Sequence, residues 1–122
     1  MTVTGVIAQL RTTNLEGSIA FWTGRVGLRL AFRYADFYAG IAAGGQVFHL
    51  KLADEADPSI PWVRAGEHFH LYLTTDDAAA MAETVRRNGI VPVSALHETP
   101  WGTREFVFHD DQGHTIHVGE FR

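Results

Sequence analysis

A chain of 122 residues with a formal net charge of −4 and no cysteine suits one domain and removes disulfides and thiolate metal sites from consideration. The mild acidity gives no electrostatic footprint for nucleic acid or an anionic membrane. No apolar run is long enough to span a bilayer and no secretory pattern opens the chain, so a cytoplasmic protein is expected.

Residues 5–13 read as a strand. Asn14 or Thr13 then caps a helix with Glu16 in its first turn. Ile19, Phe21, Trp22 and Val26 give that helix an apolar stripe, and Gly27 stops it. Three short strands follow, over 28–34, 37–43 and 46–52, separated by Ala35-Asp36 and Gly44-Gly45. Residues 53–66, with two prolines and three acids, read as a linker. The pattern then restarts: a strand over 67–74, the cap Thr75-Asp76-Asp77, an Ala-rich helix ending at Asn88-Gly89, and strands over 90–96, 104–109 and 115–121. One domain, 1–122, is therefore expected to hold two βαβββ modules, about 1–57 and about 66–122.

The halves match residue by residue. Thr12-Thr13-Asn14 aligns with Thr75-Asp76-Asp77, and the same offset sets Ile7 opposite His70. Gly45-Gln46-Val47-Phe48-His49-Leu50 aligns with Gly113-His114-Thr115-Ile116-His117-Val118. Two such modules paired about a pseudo-twofold axis would place Ile7, His49, His70 and His117 around one concave surface. Strand alternation puts His70 on a face with His68 and Tyr72, and sends Phe69, Leu71 and Leu73 to the core. Gln9 shares a face with Ile7. Three neutral imidazoles suit one divalent transition metal, such as Fe, Ni, Zn, Mn or Cu, with a position left open for substrate because Ile7 cannot coordinate.

Several segments resemble the vicinal oxygen chelate superfamily, the glyoxalase/bleomycin-resistance/dioxygenase group. They are Thr13 to Trp22, Val26-Gly27-Leu28, Thr99-Pro100-Trp101-Gly102-Thr103-Arg104-Glu105-Phe106 and Asp110 to Glu120. The resemblance implies an α+β fold in which two βαβββ modules form a paired, barrel-like concave mixed sheet with helices outside. It implies a homodimer, because many relatives build their pockets from two chains. It also implies metal ligands from the first and last strands of each module, which here fall on Ile7, His49, His70 and His117. Two of these positions depart from the usual pattern: Ile7 replaces a frequent His, and His117 a frequent Glu.

The leading expectation is a metal-dependent lyase, isomerase or dioxygenase whose small oxygenated substrate chelates an ion held by His49, His70 and His117. Glu105 and Tyr72 are the candidate proton-handling groups, and Gln9, His68, Trp101 and Phe37 the candidate substrate contacts. The alternative is a metal-free, bleomycin-resistance-like protein that binds and sequesters a planar or cationic small molecule. His97, His109 and His114 lie beside turns and read as solvated.

Overall fold

The computed structural model describes residues 1–122. Strand β1 (Gln9–Thr12) leads into helix α1 (Leu15–Ala20). The Asn14 side chain starts α1 by accepting a hydrogen bond from the Gly17 N–H at 2.9 Å. A π-helical turn, Phe21–Arg25, continues it and buries Trp22 completely. Strands β2 (Arg29–Tyr34), β3 (Tyr38–Ala43) and β4 (Gln46–Leu52) complete the first module.

The expected linker contains a helix, α2 (Ile60–Ala65), with a proline in its first turn, where no N–H is needed. The second module follows as β5 (Leu71–Thr74), α3 (Ala78–Arg87), β6 (Ser94–Glu98), β7 (Thr103–His109) and β8 (Thr115–Phe121). Its helix is capped like the first: Asp77 accepts from the Ala80 N–H at 2.9 Å.

The strands form two four-stranded mixed sheets, ordered β1-β4-β3-β2 and β5-β8-β7-β6. In each, the first strand of the module lies parallel to the last, and the rest pair antiparallel. Alternation divides each sheet into two faces. One face carries Leu10, Ala39, Ile41, Phe48 and Leu50 in the first sheet and Leu73, Phe106, Phe108, Ile116 and Val118 in the second, all in one shared core. Helix α1 covers the first sheet's apolar face and α3 the second's. The ring of Trp22 joins the halves, lying 4.9 Å from Phe48 and 6.1 Å from Phe108. Thr13 also bonds to Gln112, and Ser18 to Asp111, across the seam. The other face of each sheet stays open as a groove, with the helices outside it.

Candidate ligand-binding site

The groove of the second sheet has a volume of about 710 Å³ and is lined by His68, Phe69, Tyr72, Trp101, Glu105 and His117 among others. The register assembles it: Tyr72 lies opposite His117 on β8, Val107 faces the same histidine from β7, and Glu105 lies between Gly119 and His97. Tyr72 reaches its partner because Gly119 has no side chain; a Cβ there would sit 1.8 Å from the Tyr72 hydroxyl oxygen. That hydroxyl donates to Glu105 Oε2 at 2.7 Å, and the Thr103 hydroxyl donates to the same oxygen at 2.8 Å. Phe69 packs 5.5 Å from Tyr72 and 5.1 Å from His117.

Burial alone would push the Glu105 carboxyl up, but the hydrogen bonds from Tyr72 and Thr103 and the nearby His117 outweigh it and hold its pKa below the ordinary value. The Tyr72 phenol is pushed up to about 12, first by burial and then by its bond to Glu105. Burial lowers the His117 pKa, with Glu105 opposing. At neutral pH the groove therefore holds an ionised carboxylate, a protonated phenol and a neutral imidazole.

The first sheet builds a different groove. Gln9 Nε2 donates to the Tyr38 hydroxyl at 2.9 Å, and that hydroxyl lies 2.9 Å from His49 Nδ1. The Phe32 ring stands 5.2 Å from His49 in space that Gly40 leaves vacant, since a Cβ there would lie 2.1 Å from the ring. Phe37 packs beside Tyr34 and Tyr38 at the end of this face.

The sequence-derived residues thus divide between two places. Tyr72 and Glu105 meet, with His68 and Trp101 on the same groove. Gln9 and Phe37 belong to the other sheet. The three histidines expected to hold a metal are not brought together within the chain, and no three His, Asp or Glu side chains converge in a geometry that could hold an ion. His49 and His117 lie on the open faces of different sheets, with the common core between those sheets. His70 turns elsewhere: its Nδ1 accepts the Thr115 N–H at 3.0 Å, so Nε2 carries the proton and donates to Ser59 Oγ at 3.0 Å. Neither nitrogen has a lone pair to offer. Burial, followed by the neighbouring His114, lowers its pKa. One chain's residues therefore do not fit a three-imidazole centre. Ile7 is exposed and precedes β1.

Two further expectations are corrected. Phe69 is 49% exposed and lines the groove rather than the core, because β5 begins only at Leu71. Residues 66–70 are the exit from α2, with Glu67 at φ 57, so the period of two does not reach back to Phe69 and His70. His114 is fully buried, not solvated. Its Nδ1 lies 2.8 Å from Asp110 Oδ2, while its Nε2 has no hydrogen-bond partner and stands 3.9 Å from Asp57 Oδ2. A Gly-His step after two aspartates gave no sequence signal of this burial.

A smaller hollow of about 510 Å³ opens at the module seam beside Phe21, Arg25 and Ile90. Its carboxylates are already engaged, Asp110 by His114 and Asp111 by Ser18.

No curated protein sequence matches the chain. Its fold is similar to that of a bleomycin resistance determinant encoded on transposon Tn5, with a TM-score of 0.78, 20% identity, and 98% of this chain and 99% of that one covered. It is also similar to TnmS3, an antibiotic binding protein from Streptomyces sp. CB03234, with a TM-score of 0.77, 23% identity, and 100% and 99% covered. A third similar fold is the bleomycin-binding protein of bleomycin-producing Streptomyces verticillus, complexed with copper(II)-bleomycin, with a TM-score of 0.72, 20% identity, and 97% and 96% covered. Residues 5–118 match the sequence profile of the Glyoxalase/Bleomycin resistance protein/Dioxygenase superfamily, and with the paired βαβββ modules already described, this chain belongs to that superfamily.

Proposed function

We propose that the protein binds a small aromatic molecule reversibly in the groove of Phe69, Tyr72, Trp101 and Glu105, sequestering it rather than converting it. The observation that carries this reading is the Tyr72–Glu105–Thr103 network. Proton transfer at neutral pH needs groups whose pKa values lie near the working pH. Here the base is made weaker and the acid is pushed up to about 12. The network is stiff and pre-organised, as recognition requires, and poorly tuned for turnover. Similar solved folds described as antibiotic- and bleomycin-binding support the same reading.

The groove is proposed to be closed by a second copy. Phe32 and Tyr34 on the first sheet's open face are 39% and 66% exposed, and Phe69 and Trp101 on the second's are 49% and 72% exposed. Apolar patches of this kind mark interaction surfaces. The first face of one chain against the second face of another would enclose a ligand between aromatic walls.

Calorimetric titration with bleomycin and a panel of polycyclic antibiotics, in the presence of EDTA, tests the reading. The expected result is saturable binding with the ligand recovered unchanged in mass. Conversion to a product, or no binding across the panel, removes it. Sedimentation equilibrium tests the closure: a dimer is expected, and a monomer at the concentration that binds ligand removes the shared groove.

A further inference from the structure

Glu105 is the one acidic side chain of the groove that is buried, at 8% exposure. It makes no ion pair, although Glu16, Glu83 and Glu98 at the surface each do. A buried charge without a countercharge is expensive, and hydroxyl donors relieve only part of that expense. Both donors, Tyr72 and Thr103, go to Oε2. Oε1 receives neither of these hydroxyl bonds, the Trp101 indole being the one other donor close to the carboxylate, and it is not among the sealed, unpartnered atoms, so it opens to the groove. The rings of Phe69, Tyr72 and Trp101 line the same space, and aromatic faces attract a cation held over them. The groove's one guanidinium, Arg64, is directed at the Gly113 carbonyl.

We propose that the groove selects flat aromatic cations, with a protonated nitrogen of the ligand hydrogen-bonded to Glu105 Oε1 while its ring system stacks among Phe69, Tyr72 and Trp101. This rests on the proposed binding function and adds the ligand's charge and the atom that receives it. Glu105 becomes the specificity determinant. Its pairing in the complex supplies the countercharge that the free chain lacks.

The test uses two probes of one shape: 9-aminoacridine, which is cationic at neutral pH, and acridone, which is neutral. Calorimetry on the full chain is expected to give affinity for the cation at least about tenfold higher, the range of a charge-assisted hydrogen bond with cation–π support. Glu105→Gln is expected to abolish that preference, so that the variant binds the cation and acridone with equal affinity. Trp101→Ala, at an exposed position, is expected to weaken both. Should Glu105→Gln fail to fold by circular dichroism, the wild type decides alone: the cation's advantage narrows as sodium chloride is raised, and acridone binding does not change. Equal affinities in the wild type, or a preference surviving in Glu105→Gln or insensitive to salt, overturn the proposal and leave the binding function standing. Absence of binding by either probe and by the antibiotic panel overturns both.

Discussion

At the scale of single residues, two glycines set the floors of the two grooves, and the structure separates their importance. Phe32, over Gly40, is half exposed and can swing aside. Tyr72, over Gly119, is fixed by its bond to Glu105. Gly119→Ala should therefore destabilise by about 1–3 kcal/mol, through overpacking and a broken, partly buried hydrogen bond, and should weaken ligand binding. Gly40→Ala should have a smaller effect on stability. Urea unfolding of the two variants checks the order, and equal effects would contradict it. His70 gives a second test. Its imidazole accepts the N–H of Thr115, a buried residue. His70→Ala should lower stability by about 1–3 kcal/mol by orphaning that donor, yet leave any divalent-metal affinity of the chain unchanged. A large loss of metal affinity with intact stability would restore His70 as a ligand. Residue type singled out Tyr72 and Glu105 as candidate polar groups, but their hydrogen bond to each other is seen only once β7 and β5 are both paired with β8. That His70 is structural was not legible either, because its partners Ser59, His114 and Thr115 are brought to it only by the chain's return.

At the scale of elements, the duplicated caps are the clearest link from sequence to structure. Asn14 and Asp77 occupy equivalent places, and each accepts from the N–H three residues on. Asn14→Ala and Asp77→Ala should each lower stability by about 1 kcal/mol, measured by thermal melts. A negligible effect at either cap would mean that packing alone sets that helix start. The strands were legible where turn residues bound them closely, as in β3, β4, β7 and β8, and shifted where such bounds are weak. β6 begins at Ser94 rather than at Ile90, since Ile90 is drawn into the core behind α3. Helix α2 was hidden by prolines and acids that read as a linker. Its single turn of apolar residues has no buried member, so no amphipathic stripe announces it.

At the scale of the whole molecule, titration behaviour should follow burial. Burial lowers the pKa values of His70, His109 and His117. A histidine kept neutral by folding adds stability above its unfolded value of 6.5, and that contribution is lost as pH falls toward the folded value. Asp57 and Glu105 act in the same direction lower on the scale: burial opposes, but hydrogen bonds hold both carboxyls below their ordinary values, so their contribution is lost as pH falls through the folded pKa. Asp111 opposes them, because burial raises its pKa. At the alkaline end, Tyr72's contribution is present below its ordinary 10.0 and is lost as pH rises through about 12. Stability should therefore climb from acid to neutral pH and fall again only in strong alkali. Denaturant midpoints across pH check this, and a flat profile between pH about 4 and 7 would refute it.

The sequence by itself determined the repeat, the two helix caps, the alternation of the main strands and the superfamily, because each rests on short-range periodicity or on local motifs. Only the tertiary structure decided which faces the histidines share. Period two assigns a side chain to one side of its own strand, but it does not say which side of one sheet meets which side of another. The modules joined through Trp22, Phe48 and Phe108, which turned the faces of His49 and His117 apart and left two aromatic grooves where a single metal pocket was expected.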